Sequence, residues 1–183
     1  MKYNVQSILH EPIELQAAKD HIRTVYGDTS EDETIIKPLI EAAREFAENV
    51  TGRAFAKQTI IARTAAWNSM QLPRLPVMSV EKVTYWTADN QEKEMEPSKY
   101  RVDLDEGIVY ILNPPEDKLA EGNPIRVHYT AGGETPATAR QAMLLLIGHW
   151  YNNREAVVVG SATSVEVGMA AKTLLNQNKG WWF

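Results

Sequence analysis

The chain has 183 residues, 44% of them hydrophobic and 23% charged, with a formal net charge of −5 and no cysteine. That length fits one domain with an elaborated insertion and is enough to bury a core without covalent staples. The lack of cysteine excludes disulfides and thiolate–metal sites and fits synthesis in a reducing compartment, while the acidic balance argues against a surface that tracks nucleic-acid phosphates.

Residues 1–10 carry no apolar run and do not read as a signal peptide. Spacing then predicts a first helix over 14–24, with Leu15, Ala18 and Ile22 on one face, Pro12 just before it and Gly27-Asp28 after it. A second helix is predicted over 30–51. Ser30 and Glu33 have capping-box spacing, and Ile36, Leu39, Ile40, Ala43, Phe46, Ala47 and Val50 form one apolar stripe. Glu41, Arg44, Glu45 and Glu48 fall on the polar side and read as a solvated charged face. Gly52 follows as a natural helix stop. Pro38 interrupts this pattern, because its ring removes the bond to Thr34. It predicts a kink, an irregular first turn or a later start.

From residue 55 to 130 the period shortens to that of strands. Residues 59–67 are rich in β-branched and aromatic side chains, and Pro73 and Pro76 flank an extended linker at Arg74-Leu75. Residues 77–87 alternate, with Val83, Tyr85 and Thr87 on one side. Residues 100–104 and 108–112 flank Asp105-Glu106-Gly107 as a hairpin. Residues 125–130 alternate again, with Ile125, Val127 and Tyr129 facing one way and His128 the other, toward solvent.

A third helix runs from Pro136 to about residue 153. Its Ala139, Ala142, Met143, Leu144, Leu145, Leu146, Ile147, Trp150 and Tyr151 make it apolar nearly all round. Such a helix is the centre of a bundle, a subunit interface, or both. Residues 156–168 are β-branched and glycine-punctuated, 169–176 suit a short last helix, and the chain ends Gly180-Trp181-Trp182-Phe183. The longest apolar stretch, 142–147, is far short of the about 20 residues that span a bilayer.

The element order gives an α+β fold: a small helical bundle, two long helices plus shorter ones, with an inserted antiparallel sheet of about four or five strands. One domain is expected, helical over 1–54, β insertion over 55–133, helical core over 134–155 and a C-terminal arm over 156–183.

No sequence pattern supplies catalytic chemistry. There is no phosphate-cradling glycine loop with Lys and Ser/Thr, and no nucleophile elbow. His10, His21, His128 and His149 lie at no metal-binding spacing, so no cofactor or metal is expected. Asp103, Asp105 and Glu106 beside Gly107 resemble part of a calcium loop, but the twelve-residue pattern is incomplete, and a hairpin turn accounts for them. His149 beside Trp150 reads as a buried, hydrogen-bonded or interface histidine. The tail has two readings: Trp181, Trp182 and Phe183 fold back on their own domain, or they dock on a neighbour, with Val157, Val158 and Val159 able to add a strand to an adjacent sheet.

Five segments occur in an order that resembles the head–tail connector, or adaptor and head-completion, family of tailed phages, in the branch with a β insertion. They are Glu14-Leu15-Gln16-Ala17-Ala18-Lys19-Asp20-His21-Ile22-Arg23; Leu39-Ile40-Glu41-Ala42-Ala43-Arg44-Glu45-Phe46-Ala47-Glu48-Asn49-Val50-Thr51-Gly52-Arg53; Leu72-Pro73-Arg74-Leu75-Pro76-Val77 with Ser79-Val80; Val127-His128-Tyr129-Thr130-Ala131-Gly132; and His149-Trp150-Tyr151-Asn152-Asn153-Arg154-Glu155. Each is weak alone, and the ordered set spans roughly residues 12–155. Pro38 and the aromatic end depart from any fixed pattern.

The resemblance implies a structural, non-enzymatic subunit, made in the host cytoplasm and placed at the head–tail junction of the virion. Such subunits form a ring, commonly twelvefold, beneath the portal protein. The ring extends the DNA channel, lets packaged DNA pass without sequence-specific binding, and docks a stopper or tail-completion protein; no membrane is involved. A closed ring needs two unlike patches per subunit, and the all-round apolar third helix, with His149, Trp150 and Tyr151, and the tail are the expected ones. Removing residues 156–183 is then expected to leave a folded domain that assembles poorly. The alternatives are a tail-completion or stopper factor, and a small hydrolase using scattered carboxylates.

Overall fold

The computed structural model describes residues 1–26, 32–133, 135–153 and 162–179. In chain order these form β1 (Lys2–His10), α1 (Leu15–Tyr26), α2 (Glu33–Thr51), β2 (Lys57–Thr64), β3 (Met70–Gln71), β4 (Val77–Trp86) and β5 (Glu92–Glu94). A 3-10 turn (Pro97–Lys99), β6 (Tyr100–Asp103), β7 (Ile108–Ile111), β8 (Ile125–Ala131), α3 (Ala137–Asn152) and α4 (Ala162–Asn176) follow. The fold is α+β, as the sequence pattern indicates. The chain divides into two compact units, each assembled from two separated stretches: residues 1–10 with 56–133, and 11–55 with 134–183.

The first unit holds two antiparallel sheets, one in the order β1-β2-β8-β4-β5 and a smaller one in the order β3-β7-β6. The larger sheet has the five strands that the sequence pattern allows, and the three-stranded sheet is additional. β3 and β5 are too short to show an alternation, and β1 comes from a stretch without an apolar run. Register aligns the buried residues of the larger sheet in rows: Ile60 lies opposite Tyr129, and Ala62 opposite Val127, which faces Val83 on its other side. Side chains of period two put all of these on one face. The buried Tyr129 donates its hydroxyl to the Pro73 carbonyl at 2.6 Å, and burial raises its pKa.

The Pro73–Pro76 stretch bends and is not an extended linker, because Arg74 has φ of 62°. The β6–β7 hairpin forms as read, with the Glu106 N–H donating to Asp103 Oδ1 at 3.0 Å. Gly132, at φ +105°, follows β8 where a Cβ would lie 1.9 Å from the Ala56 carbonyl oxygen, so only glycine fits.

The second unit is a four-helix core. α2 begins at Glu33, with Asp32 at the N-cap position, and runs unbroken through Pro38. The start is later than the capping-box spacing suggests, and Ser30 lies outside the described residues. Gly52, at φ 70°, stops the helix by donating its N–H to the Glu48 carbonyl at 2.8 Å. Ile36, Ile40, Ala43 and Ala47 of α2 share one buried cluster with Ala18 and Ile22 of α1 and with Ala139, Ala142, Met143, Leu146 and Ile147 of α3.

α3 packs against α1, α2 and α4, so its apolar girdle marks the centre of the bundle. α4 starts before residue 169, and its Ala171 and Leu175 are fully buried in the same cluster. Residues 162–176 are therefore part of the helical core and not of an arm.

One sequence expectation fails inside α2. Arg44 and Glu48, read as part of a solvated face, are 6% and 2% exposed. The Arg44 Nε donates to both oxygens of Glu11 at 3.1 and 3.0 Å, and its Nη1 lies 3.5 Å from Glu48 Oε2. The other Glu48 oxygen accepts the Phe55 N–H at 2.8 Å. A helical wheel cannot show this, because residues outside the helix, Glu11 and Phe55, cover that side. Burial raises the pKa of Glu11 against the pull of the Arg44 guanidinium.

Candidate interaction surfaces

The three α3 residues expected at an interface all have partners within the helical unit. Trp150 meets Phe46 edge-on, with ring centroids 6.3 Å apart. Tyr151 donates its hydroxyl to Asp32 Oδ2, pinning the end of α3 to the start of α2. The His149 carbonyl accepts the Asn153 side-chain amide at 2.8 Å. All three remain partly exposed. Val157, Val158, Val159, Trp181, Trp182 and Phe183 lie outside the described residues.

The sequence reading missed a different apolar surface. The exposed large hydrophobic residues concentrate on β1, where Tyr3 is 37%, Val5 40% and Leu9 54% exposed, with Met1 beside them at 54%. β1 is one edge of the five-stranded sheet. The opposite edge, β5, is three residues long and reads Glu-Lys-Glu. Short charged edges resist further pairing, whereas long apolar ones invite it. The alternation of Met1, Tyr3 and Val5 with Lys2, Asn4 and Gln6 breaks at Ser7 and Ile8, too soon to read as a strand. Arg74 supports β1 from within the same unit, donating from Nε to the Tyr3 hydroxyl at 2.9 Å and lying 5.6 Å from its ring centroid.

The face of the larger sheet opposite its apolar rows is polar and laced across strands. Thr130 donates its hydroxyl to Glu81 at 2.6 Å, Thr84 donates to Glu92 at 3.1 Å, and the Arg126 Nη1 lies 3.4 Å from the same Glu92 oxygen. His128 sits on this face, half-buried, with Nε2 3.3 Å from the Thr84 hydroxyl. Burial, helped by the Lys82 ammonium, lowers its pKa. Nearby, the Tyr85 hydroxyl donates to Asp117 at 2.7 Å, and burial together with that carboxylate raises its pKa to about 12. The Asp117 pKa is lowered, chiefly by its hydrogen bond from Lys93.

Among the described residues, no group of three or more His, Asp or Glu is placed to hold a metal ion, and no helix is long and apolar enough to cross a membrane. The arrangement is one of surfaces: an open apolar strand edge, a cross-linked polar sheet face and a helical core that consumes most of its own apolar area.

Comparison with known proteins adds to this picture. Residues 17–169 match the model of a family described as head completion protein. Among solved structures, the chain is similar to one from the virion of a native gene transfer agent particle, with a TM-score of 0.78 and 18% identity. It is also similar to a chain in the neck of the empty particle computed with C6 symmetry, at 0.77 and 19%. A third match, in the neck of the native particle computed with C12 symmetry, stands at 0.72 and 18%. Each match covers 100% of this chain and 97% of the other. A search of the curated proteins found no match.

Proposed function

The chain belongs to the head completion protein family, and from that premise we propose that it is a structural, non-enzymatic subunit of the head–tail junction of a tailed phage or phage-like particle. Copies form a ring beneath the portal protein, extend the DNA channel and offer a docking surface to a stopper or tail component. The observation that carries this reading is the family match over residues 17–169. It is supported by full-length likeness of fold to chains in particle necks computed with C6 and C12 symmetry. The acidic net charge of −5 suits a wall that DNA slides past without being held.

The docking role of Val157, Val158, Val159, Trp181, Trp182 and Phe183 is part of the proposal. It gains a counterpart in the β1 edge, whose exposed Tyr3, Val5 and Leu9 suit strand addition. The first test is light scattering of the purified protein with and without a portal ring. The proposal expects monomers alone and a ring-sized increment on the portal; no increment overturns it. A bound mass of one or a few subunits per portal instead favours the stopper reading. The second test ends the chain after Lys179, which spares α4 and removes the aromatic end. Loss of portal binding with unchanged melting supports docking by the tail, and unchanged binding overturns it.

A further inference from the structure

Register places Lys2 of β1 directly opposite Arg63 of β2, and Arg63 directly opposite Arg126 of β8. Opposed residues in an antiparallel sheet share a face, so three cations stand side by side on the polar face of the larger sheet. Like charges so placed repel and weaken a sheet. Among the described residues, Arg126 alone of the three has a counter-charge: it reaches Glu92 at 3.4 Å and lies 5.2 Å from the Trp86 ring centroid. The Nε atoms of both Arg63 and Arg126 are buried with no hydrogen-bond partner. These nitrogens are enclosed, so a partner from outside meets each arginine through its outer guanidinium nitrogens, which carry the charge.

The same unit carries a matching acidic feature. The β6–β7 turn presents Asp103, Leu104, Asp105 and Glu106, with Leu104 43% exposed. It is held in one shape by the Glu106 N–H bond to Asp103, by Gln71 Nε2 donating to the Glu106 carbonyl at 2.6 Å, and by Gly107 at φ +65°. A preorganised tip gives up little freedom on binding.

We propose that the Lys2–Arg63–Arg126 row is a docking surface for the Asp103–Glu106 turn of a second copy of this chain. The contact rests on the ring reading above and deepens it. It joins two unlike patches, so it is heterologous, and contacts of that kind propagate head to tail until they close. A discrete acidic tip fits better than a nucleic-acid strand, because Glu92 and Glu94 flank the row and repel a continuous polyanion.

The test is a charge exchange in the full-length protein, read by light scattering on the portal ring. Arg63→Glu and Asp105→Arg are each expected to raise the concentration for half-assembly about tenfold. The double variant, which restores opposite charges, is expected to return it to near the wild-type value. Circular dichroism melting confirms that each variant folds, and Arg63→Gln supplies a milder substitution if the reversal misfolds. Wild-type rings with no loss in the single variants, or losses that simply add in the double, overturn the contact and leave the ring reading standing. Single variants that assemble normally but elute earlier from immobilised DNA assign the row to nucleic acid and overturn the proposal. A wild-type chain that adds no ring-sized mass to the portal overturns both.

Discussion

The two units are stabilised by opposite uses of polar chemistry. The helical unit buries its ion cluster: Arg44, Glu48 and Glu11 meet where the guanidinium and one carboxylate are almost fully enclosed. The β unit keeps its polar network on one face of a sheet, where Thr84, Glu92, Arg126, His128, Thr130 and Glu81 connect neighbouring strands. An enclosed charge must keep every partner, because losing one leaves the other without water or counter-ion. On the sheet face the charged members, Glu81, Glu92 and Arg126, reach solvent, so losing one of them costs less. Stability should therefore be brittle in the first unit and forgiving in the second.

The largest effect is expected from ending the chain after Asn153. This removes α4 and with it Leu175 and Ala171, and it exposes the part of α3 that they cover. The loss exceeds the about 2–5 kcal/mol of a single large-to-small core substitution. The helical signal in circular dichroism should fall well beyond the share of the deleted residues. This reverses the expectation that residues 156–183 are dispensable for folding. A truncated protein that melts like the parent would show that α4 adds nothing to the core. Collapse of strand and helix signals in one transition would break the contrast between the units.

Next in size is Arg44→Ala, which leaves Glu48 enclosed and Glu11 half-buried without their cation and should cost about 3–5 kcal/mol. The sign of its pH response sharpens the contrast. Glu11 already has a raised pKa in the folded protein because of burial. A carboxyl group of that kind contributes stability that is present below its unfolded pKa and lost as pH rises through the folded one. Removing Arg44 enlarges the penalty, so the variant should regain part of its deficit as pH is lowered toward 4.5. A deficit independent of pH, measured by urea unfolding across that range, would show that Arg44 acts by packing alone. In the β unit, Tyr129→Phe loses only the hydrogen bond to the Pro73 carbonyl and should cost about 1 kcal/mol.

The helical unit was the more legible in the sequence because its information is local. The stripe from Ile36 to Val50 and the girdle of α3 each lie within one helix, and a period of 3.6 exposes them. The buried state of Arg44 was not legible, since it depends on Glu11 and Phe55, which no helical period brings near. In the β unit, β2, β4, β8 and the β6–β7 hairpin announced themselves by alternation and turn residues. β1 did not, because it joins the sheet from across an entire helical segment, and its apolar positions are exposed. The Lys2–Arg63–Arg126 row was invisible for the same reason: a row across strands is a property of register, and register between residues this far apart is set by tertiary packing. The residues that carried the resemblance to head completion proteins lie in both units, from 14 to 155, which is why an ordered set of weak segments reached the family that the match over 17–169 shows.

The smallest expected effect belongs to His128, and it tests how forgiving the sheet face is. Its imidazole has a pKa held below the usual 6.5, first by burial and then by the Lys82 ammonium, with Arg126 adding to the repulsion and Glu92 and Glu81 opposing it. Below pH 6.5 the unfolded chain takes up a proton that the folded chain resists, so unfolding gains a proton and stability falls. The contribution is complete above the unfolded pKa and disappears as pH drops through the folded one. His128→Gln keeps a polar side chain beside Thr84 and removes the titration. The variant should melt close to the wild type at pH 7.5 and lose less on acidification to pH 5.5. Equal losses in both proteins would assign the acid sensitivity to other groups. A large deficit for the variant at pH 7.5 would mean that the sheet face is as brittle as the enclosed cluster around Arg44, and the contrast between the units would fail.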